Sequence, residues 1–276
     1  DAIPTMVDFL IESNITGMYV LGSTGEGVSM TVAERRDVAA AFVAASAGRI
    51  PVMVQVGCES PYEARGLAKH ASSVGADAVS AVSPLYFKPT SVATLAAAMQ
   101  VVASGAPDLP FYYYHIPALT GVNLDMIDFL KLGSERIPSL RGIKFSSPLI
   151  HEFQACLEFA GDRFQIMWGV DEMLMSGLMA GATAAVGSTY NFAAGIYHRL
   201  ISAIDAGDMA TARKLQAQSQ LLVRTFVPYG PRASQKAIMN MVGPNCGPPR
   251  VPVVPLSDQQ SSELKADLER IGFFEW

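Results

Sequence analysis

A lysine stands in the middle of an apolar strand pattern. In Gly142-Ile143-Lys144-Phe145-Ser146 the neighbours Ile143 and Phe145 point to one side and Lys144 to the other. Lysine is almost never fully buried without a reason. Burial disfavours its charged form and lowers its pKa, and a neutral amine attacks carbonyl carbons. The bland alternative is an edge-strand or strand-end lysine that reaches water. Upstream, Phe111-Tyr112-Tyr113-Tyr114-His115-Ile116-Pro117 places Tyr112 and Tyr114 on one face and Tyr113 and His115 on the other. A tyrosine at a strand end can pass a proton along a hydroxyl relay. A row of aromatic core residues has the same pattern. His115 reads as a hydrogen-bonded structural histidine.

Three further stretches carry polar groups. Gly22-Ser23-Thr24-Gly25-Glu26-Gly27 follows a strand and precedes a helix. Its glycines let backbone N–H groups converge and its hydroxyls add donors, which suits an anion. No Gly-Lys-Ser/Thr follows, so a carboxylate fits better than a triphosphate. The same residues also make a plain tight turn with a serine cap. Trp168-Gly169-Val170-Asp171-Glu172 puts paired acids at a helix start, either as dipole-complementing caps or as acceptors for sugar hydroxyls. Gly187-Ser188-Thr189-Tyr190-Asn191 closes another strand, and Pro84-Leu85-Tyr86-Phe87 offers one more tyrosine.

The elements that must position these groups alternate. Strand patterns fall at 18–21, 52–56, 78–82, 111–116, 140–145, 164–168 and 184–188, with helical patterns between them at 31–48, from 60, 91–104, 125–132, 149–159 and 171–179. Thr31 with Glu34 and Ser60 with Glu63 predict capping boxes, and Pro61 sits at a first helical position. Residues 3–12 read as an opening helix. The chain after Asn191 reads as helical down to a proline-rich stretch at 244–255, with a final helix at 258–271. The polar signatures follow strands, the distribution of an α/β barrel enzyme whose site lies at the C-terminal ends of its strands. About seven strands are counted where a (β/α)8 barrel has eight. The expected fold is therefore an α/β TIM barrel without its first strand in the numbered chain. Residues 1–190 form the barrel and 191–276 a helical extension packed on it. A doubly wound sheet is the structural alternative, but no dinucleotide fingerprint follows the first strand.

The 276 residues are 50% hydrophobic and 16% charged, against roughly 25% charged in soluble proteins at large. That composition buries a large core and excludes a disordered or fibrous chain. A net charge of −5 argues against nucleic acid as a partner. Mean hydropathy is only +0.26, and no apolar run approaches the ~20 residues of a membrane helix. No signal-peptide pattern is read. The 3 cysteines, Cys58, Cys156 and Cys246, are far apart and odd in number, which fits a reducing cytoplasm. The 4 histidines have no metal spacing.

Taken together and in order, GSTGEG, YYYHIPALTG, GIKFS, GVDE and GSTYN resemble the N-acetylneuraminate lyase and dihydrodipicolinate synthase family of pyruvate-dependent class I aldolases. The likeness runs from about Gly17 to the chain end and includes Lys236-Ala237-Ile238-Met239 and Gly247-Pro248-Pro249-Arg250. Five ordered motifs are far more specific than any one of them. The resemblance implies a Schiff-base role for Lys144, proton shuttling for Tyr114, and carboxylate binding for Ser23 and Thr24. Ser146 stands where relatives often carry threonine. Tyr86 matches a tyrosine that reaches a neighbouring subunit's site. Gly169, Asp171, Glu172 and Ser188 match positions that contact the sugar in the sialic acid branch. Leu119 replaces the arginine with which dihydrodipicolinate synthases hold a second carboxylate, so it points to the sialic acid branch.

The implied activity is reversible cleavage of N-acetylneuraminate to N-acetylmannosamine and pyruvate by a cytoplasmic homotetramer, with no metal or organic cofactor. Two rivals stand beside it: a sister aldolase acting on another 2-keto acid, and a non-catalytic sugar-acid sensor on the same fold.

Overall fold

The computed structural model describes residues 2–276. Its elements run α1 (Ala2–Glu12), β1 (Met18–Val20), α2 (Val32–Ser46), β2 (Val52–Gln55), α3 (Pro61–Ser73), β3 (Ala78–Val82), α4 (Val92–Ala103), β4 (Phe111–His115), α5 (Pro117–Thr120), α6 (Met126–Arg136), β5 (Leu140–Phe145), α7 (Ile150–Ala160), β6 (Gln165–Trp168), α8 (Leu174–Met179), α9 (Tyr190–Asp205), α10 (Met209–Phe226), α11 (Pro231–Val242) and α12 (Asp258–Arg270). Two compact units share the chain. One comprises Thr16–Val170 and Ser176–Val186; the other comprises residues 2–15, Asp171–Met175 and Gly187–Trp276.

The first unit holds a single parallel sheet of 6 strands in the order β1-β2-β3-β4-β5-β6. Strands alternate with helices, so each crossover covers the sheet and the strands are buried on both faces. That is why β3 is buried at every position and why these strands read as near-continuous apolar runs. The outer face of β4–β6 packs on helices through Phe111, Tyr113, Phe145 and Trp168, all essentially inaccessible. Tyr113 meets Phe129 of α6 at 4.8 Å between ring centroids, and Trp168 meets Phe153 of α7 at 4.8 Å. Gly142 lets β5 lie against β6, because a Cβ there would stand 1.8 Å from the Gln165 carbonyl oxygen.

Local signals act as the sequence predicts at most helix starts. Thr31 and Glu34 form the reciprocal capping box of α2. At α3 Ser60 accepts from the Glu63 N–H, but the return bond of a box is not formed. Glu63 acts instead as an acidic first-turn residue.

Residues 184–188 do not make a seventh strand. The ladder shrinks to a parallel bridge between Trp168 and Ala185, with the Trp168 N–H on the Ala184 carbonyl and the Val186 N–H on the Trp168 carbonyl. Pairing stops where Ser188 and Thr189 turn their donors to a carboxylate. Residues 171–179 are likewise not one helix: a 3-10 turn at Asp171–Met173 precedes the short α8.

In the second unit α9 and α10 pack along each other, and α11 and α12 pack on them. The Phe9 ring tip of α1 lies close to Gly243, where a Cβ would stand 3.0 Å from it, and His198 of α9 bonds the Ser13 carbonyl at 3.0 Å. No helix among the described residues is long and apolar enough to cross a membrane.

Candidate active site

Parallel pairing puts Tyr114 directly beside Lys144, in register on β4 and β5 and on the same sheet face. Lys144 is 6% exposed. Its Nζ stands 4.0 Å from the Tyr114 ring centroid and 3.9 Å from that of Tyr19. The two rings meet edge to face at 5.5 Å. β1 and β5 are separated by three strands in the sheet. Side-chain contact between them requires the sheet to curl, and that curl brings two aromatic rings around the buried amine.

A hydroxyl relay starts at these rings. Ser23 Oγ and Tyr114 Oη lie 3.3 Å apart, and Tyr114 is buried. Tyr19 Oη donates to Ser80 Oγ at 3.0 Å. Burial, then the neighbouring Tyr114, holds the Tyr19 phenol well above its ordinary range, so it stays a donor.

The loop carrying Ser23 and Thr24 has a demanding backbone. Leu21 and Glu26 take left-handed conformations (φ 64° and 54°) on either side of it. A Cβ on Gly27 would stand 2.1 Å from the Leu21 carbonyl oxygen, and one on Gly22 would strike the Tyr19 ring at 2.7 Å. The glycines are therefore required by close packing. Beneath the loop, Gln55 Nε2 donates to the Leu21 carbonyl at 3.4 Å, and the buried Arg35 donates to the Gln55 carbonyl at 2.9 Å.

Ser146 and Gly169 meet at the next strand ends. The Ser146 Oγ is buried with no partner among the described residues, and a Cβ on Gly169 would stand 2.1 Å from it. Ser146 thus offers a free hydroxyl beside a residue whose missing side chain leaves it room.

Two residues singled out by sequence make no hydrogen bond or ring contact with this cluster. Tyr86 is 80% exposed, and its ring meets that of Phe87, itself 81% exposed. Their loop is held by Glu59, whose carboxylate accepts the N–H groups of Leu85 (2.7 Å), Tyr86 (2.9 Å) and Phe87 (2.9 Å). These bonds, that of Phe87 foremost, lower the Glu59 pKa. Leu119, on α5, is 59% exposed.

In the second unit Asp171 is 5% exposed. Its Oδ2 accepts from the Thr189 N–H (2.7 Å), the Thr189 hydroxyl (2.7 Å) and the Ser188 hydroxyl (3.3 Å). A Cβ on Gly187 would stand 2.0 Å from Asp171 Oδ1, so glycine makes room for the carboxylate. Asp171 is therefore an anchor for residues 188–189 and not a solvated helix cap. Burial, then the Asp171 charge, raises the Glu172 pKa, while Gln220 Nε2 donates to the Glu172 carbonyl at 3.1 Å.

Sequence reasoning missed Tyr19, Glu59 and Thr189. For Tyr19 a signal existed: an aromatic residue alternating with buried Met18 and Val20, followed three residues later by a glycine loop. His115 corrects an expectation. It is wholly buried among Tyr113 and Phe145, and neither ring nitrogen has a partner among the described residues. Burial alone lowers its pKa to about 4. It remains a neutral core ring whose hydrogen bonds are not made.

A lysine amine walled by aromatic rings, a phenol beside it and a hydroxyl on the phenol form the equipment of an enzyme that makes and breaks carbon–carbon bonds through an imine. The model of the dihydrodipicolinate synthetase family matches residues 1–271. N-acetylneuraminate lyase of Rattus norvegicus is 37% identical over 272 residues, spanning 97% of this chain and 85% of the relative. N-acetylneuraminate lyase A of Xenopus laevis is 41% identical over 256 residues, 91% of this chain and 84% of the relative. The solved structure of N-acetylneuraminate lyase from Proteus mirabilis superposes with a TM-score of 0.95 at 38% identity, covering 99% of this chain and 92% of that one. The chain belongs to the dihydrodipicolinate synthetase family.

Proposed function

We propose that this chain is a class I aldolase that cleaves N-acetylneuraminate reversibly to N-acetylmannosamine and pyruvate. The observation that carries the reading is the Lys144 amine between the rings of Tyr19 and Tyr114, with Ser23 on the Tyr114 hydroxyl.

In this mechanism Lys144 Nζ adds to the C2 carbonyl of the open-chain keto acid, water leaves, and an iminium forms. The C3–C4 bond breaks with its electrons moving into the iminium, giving an enamine. The C4 hydroxyl proton leaves through the Tyr114 and Ser23 hydroxyls. N-acetylmannosamine departs, C3 is protonated, and water releases pyruvate from the lysine. Ser23 and Thr24 hold the carboxylate, and Ser146 lends its unpartnered hydroxyl. By family resemblance, Gly169, Asp171, Glu172 and Ser188 serve the sugar end. By the same resemblance, Leu119 offers a second carboxylate no charged partner.

We further read the fold as a (β/α)8 barrel in which β1 is the second barrel strand, with 1–190 as the barrel and 191–276 as its helical extension. The protein is read as a cytoplasmic homotetramer in which Tyr86 serves a neighbouring subunit. Sedimentation of wild type and Tyr86→Ala tests the last point.

The decisive experiment is borohydride trapping. Incubation with pyruvate and borohydride must leave a stable mass adduct on the peptide containing Lys144, and N-acetylneuraminate must yield pyruvate. Absence of the adduct would favour a retired binding protein. An adduct with no cleavage of sialic acid would favour a sister aldolase.

A further inference from the structure

We propose that Arg232 and Gln235 of α11 are positioning residues that fix the Ser188 hydroxyl with its proton on Asp171, so that it meets its ligand as a hydrogen-bond acceptor and the ligand group must be a hydroxyl or N–H donor. The inference rests on the reading above only in placing Ser188 at the sugar end. The direction of every bond in the chain is set by groups that can act in one sense only. Arg232 Nη1 lies 2.9 Å from one side-chain amide atom of Gln235. A guanidinium has donors and no acceptor, so that atom is Oε1, and the amide orientation follows. Gln235 is 6% exposed, so water offers little alternative. Its Nε2 then faces Ser188 Oγ at 3.0 Å and donates to it. The Ser188 hydroxyl proton turns to Asp171 Oδ2 at 3.3 Å. That oxygen already receives the Thr189 N–H at 2.7 Å, so it accepts and does not donate.

A second arm runs the same way. The Thr189 hydroxyl donates to Asp171 Oδ2 at 2.7 Å, which leaves Tyr197 Oη, 2.5 Å from Thr189 Oγ1, as donor to it. Burial raises the Tyr197 pKa and keeps that phenol protonated. Polarity therefore flows from Arg232 and from Tyr197 into Asp171. Ser188 has used its proton and one lone pair. Its remaining lone pair welcomes a neutral polyol and meets a carboxylate or phosphate oxygen lone pair against lone pair.

Gln235→Glu tests the relay, because it keeps the shape and the Arg232 contact but replaces the donor with a second acceptor, which competes with Asp171 for the Ser188 proton and releases the orientation of the hydroxyl. The expected result is a rise of about 3- to 10-fold in KM for N-acetylneuraminate with kcat little changed. Pyruvate trapping by borohydride stays within about two-fold of wild type. The pair R232M/Q235K restores a donor-only group at Ser188 and brings KM back within about two-fold. An unchanged KM in Gln235→Glu, or an equal rise in the double variant, overturns the proposal. On wild type alone, N-acetylmannosamine must inhibit better than the same sugar phosphorylated at its terminal hydroxyl; equal inhibition also overturns it. Should wild type trap pyruvate yet cleave no N-acetylneuraminate, the substrate reading falls by itself. The relay is then judged by the same two variants on KM for the neutral aldose that wild type condenses with pyruvate.

Discussion

Replacing Tyr114 by Phe and Ser23 by Ala, singly and together, isolates the proton relay. Phenylalanine preserves the ring face that stands 4.0 Å from Lys144 Nζ, so the amine keeps its seat. Only the hydroxyl 3.3 Å from Ser23 is lost. Removal of a positioned acid–base group lowers kcat by about 10²- to 10⁴-fold. Ser23→Ala removes two things. A neutral hydroxyl pair is worth about 0.5–1.5 kcal/mol, and its long distance places this one in the lower half, about 2- to 5-fold in rate. The bond to a substrate carboxylate is worth about 1.5–3 kcal/mol. In the Tyr114→Phe background only the carboxylate share remains to be lost. The double-mutant cycle should therefore show a coupling of about 0.5–1 kcal/mol. The assay is single-turnover release of pyruvate from N-acetylneuraminate, with borohydride trapping of pyruvate as a separate readout of imine formation. If the two changes simply multiply, or Tyr114→Phe keeps more than about a tenth of kcat, the relay is not the proton path.

Lys144→Ala should abolish lyase activity while circular dichroism and thermal unfolding show a folded chain; pyruvate-dependent labelling that persists in this variant would sink the Schiff-base assignment. Leu119→Arg supplies a planar fork of donors at an exposed position and should turn partner choice toward aspartate semialdehyde, leaving pyruvate trapping intact; a wild type that already prefers that aldehyde contradicts the branch reading. Glu59→Gln removes the anionic acceptor from three N–H groups, so hydrogen exchange at residues 85–87 should speed up by about ten-fold, and unchanged protection refutes the clamp. The same protection depends on pH with a definite sign. The Glu59 pKa is lowered in the folded chain, so the clamp is fully present above the ordinary glutamate range and is lost as pH falls through the lowered value.

Several features were legible in the chain itself because they are local. Period-two alternation isolates Lys144 among apolar neighbours, and that pattern survives in any fold that makes residues 140–145 a strand. Capping at Thr31 and Ser60 involves residues three apart, so it too is written in the sequence. The ordered motifs single out Tyr114, Ser23 and Thr24 by family resemblance, but say nothing of their distances.

Tertiary structure decided the rest. Tyr19 becomes one of the two rings around Lys144 only because the sheet curls to bring β1 toward β5 across three intervening strands. Residues 184–188 have strand composition, yet only Ala185 forms a bridge, because Ser188 and Thr189 bind a carboxylate that lies far away in sequence. Asp171 and Glu172 look alike on paper. Burial and three donors make the first an anchor, while the second keeps a raised pKa. Glu59 reads as an unremarkable charge before Ser60, and only the fold sets its carboxylate under the N–H groups of residues 85–87. Alternation and capping are properties of neighbours along the chain, whereas hydrogen-bond direction, desolvation and ring contacts depend on neighbours that folding alone supplies.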